Sequence, residues 1–225
     1  MEMKRTLILV FFFLILGLSL KPVFAAPNPI LLASEKIENI SSVTILENHP
    51  TEFSENNASF EKIYFLNDNF SDKYGFRPYL WGQEIFGGTP EFLCDSSVSR
   101  TGNWSFQILC DSKDDVGVLA GPELNLKPIV AEGRVYYLSF WINYDIKDGE
   151  GISLIQQFFR EEDEFYPSYA CYGPSIKGTS NGEWVQVGLL VRAPKNTVRG
   201  DPVIALSGVG KVNVDDAFFG EVKIK

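Results

Sequence analysis

The sequence predicts an all-β fold, a two-sheet antiparallel β-sandwich with jelly-roll topology. Three observations carry that prediction. From Lys62 onward the chain runs through short segments rich in β-branched and aromatic residues, the composition of strands. Glycine, proline and asparagine pairs separate them, and no stretch offers twelve residues of 3.6 periodicity. Two segments alternate cleanly: Tyr136, Leu138, Phe140, Ile142 and Tyr144 against Tyr137, Ser139, Trp141 and Asn143, and Val185, Val187, Leu189 and Val191 against Gln186, Gly188, Leu190 and Arg192. Such strands pack one face on a core and leave the other to water or ligand.

The N-terminus reads as an export signal over residues 1–25. Lys4 and Arg5 form a basic region, Leu7 to Leu20 is apolar or small throughout, and Val23-Phe24-Ala25-Ala26 is a small-residue exit. Leu7 to Leu20 would make about 21 Å of helix, short of a hydrocarbon core of about 30 Å. The expected destination is therefore outside the cytoplasm, secreted or in the cell envelope, with a membrane tether as the alternative if the signal is not cleaved. Residues 26–60 form a polar, partly ordered leader interrupted by Pro27, Pro29 and Pro50. Residues 61–225 form the sandwich, a length suited to one well-buried domain.

Removing Glu2, Lys4, Arg5 and Lys21 from the 20 basic and 29 acidic residues leaves 17 against 28. So acidic a chain suits neither a nucleic-acid backbone nor an anionic membrane surface. Neutral glycans, cationic groups and divalent metal ions remain compatible. The one histidine, His49, lies in the leader, so a Ser-His-Asp triad or a histidine-rich zinc site has no home in the domain. Cys94, Cys110 and Cys171 have no Cys-x-x-Cys spacing for redox catalysis. Cys94 and Cys110 are equidistant from Gly102, so a hairpin centred there would bring them together as a disulfide; three separate thiols are the alternative.

The expected strands are Ile63 to Leu66, Glu91 to Val98, Trp104 to Cys110, Val116 to Ala120, Arg134 to Tyr144, Ile152 to Arg160, Tyr166 to Tyr172, Trp184 to Arg192, Pro202 to Leu206 and Lys211 to Val222. Asp148-Gly149 and Gly208-Val209-Gly210 read as turns between them. In the last strand Asp215 and Asp216 stand side by side in an apolar run. Consecutive strand residues point to opposite faces, so at least one carboxylate needs a partner. A hard cation with oxygen ligands would supply one, and a backbone or arginine partner is the alternative.

Leu66-Asn67-Asp68-Asn69-Phe70 with Trp81 downstream, Ser99-Arg100-Thr101-Gly102-Asn103-Trp104-Ser105, Tyr137-Leu138-Ser139-Phe140-Trp141-Ile142, Trp184-Val185-Gln186-Val187 and Val214-Asp215-Asp216-Ala217 occur in that order. In order and spacing they resemble the carbohydrate-binding module superfamily of cellulase-type jelly rolls, often called CenC-like. The resemblance implies a structural calcium, with Asp215 matching the final-strand ligand and Asn67 and Asn103 contributing. Ser71 stands where that family often has a glutamate. It also implies polysaccharide as the partner, held by aromatic planes and hydroxyl-pairing side chains. The candidates are Tyr79, Trp81, Trp141, Gln156 or Gln157, Arg160, Tyr166 and Tyr169.

Two other functions compete. A polysaccharide hydrolase or lyase needs two convergent carboxylates, whereas Glu161, Glu162, Asp163 and Glu164 stand in a row and read first as a solvated loop. A non-catalytic structural or interaction protein with an envelope partner would bury its aromatics. A sugar binder should show at least two solvent-facing aromatics in one groove. Asn39, Asn57, Asn69 and Asn103 each open an N-glycosylation tripeptide, meaningful only in a host that glycosylates.

Overall fold

The structure is a computed structural model that describes residues 45–46, 58–63, 70, 73–74, 77–78, 81–122, 127–162 and 164–224. The export signal, Tyr79, Asn67 and nearly all of the leader lie outside the described residues. The strands are β1 (Ile45–Leu46), β2 (Ala58–Ile63), β3 (Lys73–Tyr74), β4 (Arg77–Pro78), β5 (Trp81–Gly87), β6 (Glu91–Asp95), β7 (Ser105–Cys110), β8 (Val116–Pro122), β9 (Val135–Phe159), β10 (Tyr169–Tyr172), β11 (Gly178–Thr179), β12 (Val185–Arg192) and β13 (Arg199–Ile224).

The two-sheet sandwich is not what forms. Apart from the small β3–β4 pair, the strands join one continuous eleven-stranded antiparallel sheet, curled into a half-barrel. The correction has a local cause. The expected strands Arg134 to Tyr144 and Ile152 to Arg160 are one strand, β9, and Pro202 to Leu206 and Lys211 to Val222 are one strand, β13. The glycines read as turns are bends inside them. Gly149 and Gly208 have φ of +95° and +104°, and a Cβ on either would lie within 2.6 Å of the other's Cα. Only glycine fits where both strands bend together, and the pairing shifts register there, between Ser207 and Gly210.

The paired long strands form a spine. The free edge of β9 takes β12, then β11, then β10, and that of β13 takes β8, β7 and β2. Even-numbered residues of β9 keep one parity through the bend: Tyr136, Leu138, Phe140, Ile142 and Tyr144 before it and Ile152, Leu154 and Phe158 after it all enter the main core. The apolar side of the expected alternation is thus present, within one strand, but the opposite side is not left to water: Tyr137 and Ser139 on β9 and Gln186 and Leu190 on β12 are buried as well. A smaller apolar cluster on the opposite face joins Val118, Ala120, Ile155, Val203 and Ala205.

The hairpin expected around Gly102 forms, but its register is centred two residues earlier. Asp95 pairs Ser105 and Cys94 pairs Phe106, so Cys94 and Cys110 lie four residues apart along the strands, about 13 Å. None of the three cysteines is in a disulfide. Burial pushes Cys110 and Cys171 up to about 11, which suits packing and not nucleophilic chemistry.

Asp115, 2 % exposed, organises the β7–β8 turn by accepting N–H bonds from Thr89, Asp111 and Ser112 at 2.8–2.9 Å. The Thr89 bond lowers its pKa most, burial opposes it, and the Ser112 and Asp111 bonds lower it further. Its folded pKa lies below the unfolded value, so its stabilisation is present above about pH 4 and is lost as pH falls through the folded pKa. Asp115→Ala orphans three N–H groups and is expected to cost about 2–3 kcal/mol at pH 7. Urea denaturation at pH 7 and pH 3 checks this: the difference from wild type should shrink in acid.

Candidate functional site

Two regions hold the candidate residues, and they lie on different parts of the curled sheet. The first is built on the outer face around Trp141. The register places Asp215 beside Trp141, and a bulge follows, with Asp216 at φ +44°. The bulge breaks the simple alternation expected here, so both carboxylates meet the β6–β7 loop. Asp215 Oδ2 accepts N–H bonds from Arg100 at 2.8 Å and Thr101 at 3.2 Å, and its Oδ1 accepts the Asp216 N–H at 2.8 Å. Asp216 pairs with the Arg100 guanidinium and accepts from the Thr101 hydroxyl.

Asp215 is fully buried. Burial pushes its carboxyl up to about 6; the Arg100 N–H bond and the other N–H donors oppose that, while Asp216 adds to it. Its oxygens face three donors, a set of partners that satisfies a buried anion. Asn103 is exposed on the loop, and among the described residues no group of three or more His, Cys, Asp or Glu side chains could hold a metal ion. The described residues thus supply no such cluster for the calcium implied by the resemblance, and Asn67, one of its expected ligands, lies outside them.

Trp141 is half-buried, and the Arg100 guanidinium lies 3.8 Å from its ring centroid. Below it a buried network ties Asp95, Ser105, Gln107 and Asn213 across β6, β7 and β13. These amides bond one another, so this face is a structural lock over which the loop is fastened.

The second region is the β9–β10 loop with β10. Here Arg160 donates to the Tyr169 hydroxyl and lies 4.8 Å above its ring. Glu164 closes the loop by accepting the Arg160 N–H at 2.7 Å and the Ser168 hydroxyl at 2.6 Å. With the loop held at both ends, Phe165 and Tyr166 point outward, 76 % and 59 % exposed, the most exposed large apolar side chains among the described residues. They meet edge to face with centroids 5.0 Å apart. Three residues past Tyr169, Tyr172 emerges on the opposite face of β10, 39 % exposed. It stands opposite Ile155, at the rim of the smaller apolar cluster.

Of the residues expected to bind, Arg160, Tyr166 and Tyr169 come together here. Trp81 does not: it is 3 % exposed and packs edge-on between Phe70 and Phe140. Gln156 is on the core face and fully buried, donating to the Gln157 carbonyl, while its neighbour Gln157 lies half-buried on the outer face opposite Asp201. Phe165 and Tyr172 were absent from the expected set. The period of two across Tyr169-Ala170-Cys171-Tyr172 was the available signal, since it sends Tyr169 and Tyr172 to opposite faces.

Around the loop, Lys127 forms an ion pair with Asp201, whose side chain is 1 % exposed, and lies 4.8 Å over the Phe159 ring. Burial lowers the Lys127 pKa to about 8, against the attraction of Glu84. Arg199 donates to the Lys127 carbonyl at 3.1 Å and faces Glu162 at 3.7 Å.

No protein-family model and no curated protein sequence matches this chain. Solved structures do share its fold. The enzymatically active domain of tailspike protein 4 of bacteriophage CBA120 is 13 % identical with a TM-score of 0.53, over 71 % of this chain and 21 % of that one. An arabinose-bound MgGH51 α-L-arabinofuranosidase is 13 % identical with a TM-score of 0.52, over 72 % and 27 %. TmCBM61 in complex with β-1,4-galactotriose is 15 % identical with a TM-score of 0.43, over 72 % of this chain and 99 % of that one. At these identities the likeness shows a shared β-fold alone, and this chain spans under a third of the first two proteins.

Proposed function

We propose that this chain is a non-catalytic carbohydrate-binding domain, exported from the cytoplasm, that grips polysaccharide with the β9–β10 loop. One observation carries the reading: Phe165 and Tyr166 stand exposed side by side on a loop fastened by Arg160, Tyr169, Glu164 and Ser168. Sugar rings present C–H faces to aromatic planes, and a rigid loop loses little entropy when they stack. Glu161, Glu162 and Tyr169 supply polar atoms for hydroxyl groups.

The carboxylates here favour binding over hydrolysis. A general acid needs a raised pKa, whereas that of Glu164 is lowered. Burial opposes the lowering, but bonds from Ser168 and from the Arg160 and Glu161 N–H groups, with the Arg160 charge, outweigh it.

Retention of the purified protein on a panel of insoluble polysaccharides tests the proposal. Tyr166→Ala and Phe165→Ala are each expected to weaken retention about tenfold, the loss of one stacked ring, with unchanged melting temperature because both side chains are exposed. Trp141→Ala should leave retention unaltered, since Arg100 already covers that ring. A wild type held by no polymer would sink the reading and favour a structural or protein-binding role, and loop variants held as tightly as a retained wild type would remove the β9–β10 loop from the site.

A further inference from the structure

We infer that the aromatic loop selects uncharged glycans and turns away anionic ones such as uronates and sulfated polymers. The inference rests on the glycan-binding reading and adds the ligand's charge to it. It comes from how each charged group near the loop is used.

Recognition of a carboxylate or sulfate needs a cation free to pair with it, arginine above all. Among the described residues, Arg160, Lys127 and Arg199 are cations close to this loop, and each has a partner in the fold. The Arg160 guanidinium lies on Tyr169 and bonds its hydroxyl. Lys127, its side chain 12 % exposed, is held by Asp201. Arg199, its side chain 16 % exposed, bonds the Lys127 carbonyl and faces Glu162.

The carboxylates are disposed the other way. Glu161 is exposed, and the side chain of Glu162 is 77 % exposed with only the edge of Arg199 near it. Both stand within four residues of Phe165, and Glu164 between them is held ionised by its hydrogen bonds. A ring stacked on Phe165 or Tyr166 therefore meets outward negative charge, while the loop's own cation, Arg160, is already stacked on Tyr169 and bonded to its hydroxyl. Neutral hydroxyls can donate to these carboxylates, but a uronate at the same place can only repel them. The exposed setting makes that repulsion sensitive to salt.

The test uses affinity gels cast with soluble polymers in matched pairs: hydroxyethylcellulose against carboxymethylcellulose, arabinoxylan against glucuronoxylan, and galactan against polygalacturonate. For any pair whose neutral member retards the protein, that member should bind at least ten times more tightly at low salt. The gap should narrow several-fold in 0.5 M salt, and likewise in Glu161→Gln/Glu162→Gln, whose melting temperature confirms folding. Equal or tighter binding of the anionic member overturns the inference and leaves glycan binding standing. A gap indifferent to both salt and the double substitution overturns it too, since selection would then be steric. Failure to bind any polymer overturns the glycan-binding reading and this inference together.

Discussion

Trp81→Ala is expected to destabilise the protein by about 3–5 kcal/mol, the cost of deleting a large aromatic from a packed core. The indole is 3 % exposed, with centroid distances of 5.2 Å to Phe70 and 6.1 Å to Phe140, and alanine would leave a void against both rings. A domain of this size has only about 5–15 kcal/mol in hand, so the shift in urea midpoint should be large. A midpoint within about 0.5 kcal/mol of wild type would show that the indole is not a core residue. Together with Tyr166→Ala, the experiment separates two aromatics that look alike in the sequence: one should alter stability, the other retention on polysaccharide.

Gly149→Ala and Gly208→Ala form the second large effect. Each glycine has a positive φ, where an L side chain costs about 1–2 kcal/mol. Each added Cβ also meets backbone: on Gly208 it would lie 2.4 Å from the Asp148 carbonyl oxygen, and on Gly149 it would lie 2.5 Å from the Gly208 Cα. The expected loss is about 2–4 kcal/mol for either substitution. Because each new methyl presses on the other glycine, one displacement relieves both, and the double variant should cost less than the two singles added. Strict additivity in chemical denaturation would mean that the strands do not bend against each other.

Most strands were legible because their cause is local. Alternation in Tyr136 to Tyr144 and in Val185 to Val191 reports a face, and the face is the same whatever the topology. The fold class beyond all-β was not legible, because Gly149 and Gly208 carry the same signal as hairpin turns. Whether a glycine ends a strand or bends it depends on what pairs alongside, and here another bending strand does. The disulfide expectation failed for a similar reason: symmetry about Gly102 is a property of spacing, whereas register follows Phe92, Cys94, Phe106 and Ile108 taking the core side.

At the candidate site, Arg160, Tyr166 and Tyr169 were legible as an aromatic run beside charges. Trp81 and Gln156 were not separable from them by residue type, since their burial comes from strands distant in sequence. The fate of Asp215 and Asp216 was half legible. Their need for partners follows from burial, but the bulge that turns both to one loop is set by how β13 meets β9 and β7.

The spine of β9 and β13 also governs how the chain finds its fold. Its pairs run from Phe159 with Arg199, the nearest in sequence, outward to Val135 with Val222. Closing the shortest loop first costs least entropy, so the ladder zips from the Phe159 end, through the double bend, toward the far end. Contacts so distant in sequence make for slow folding. The aromatic loop is itself spanned by a much closer pair, Phe158 with Tyr169, so its closure costs less entropy than that of any pair in the spine.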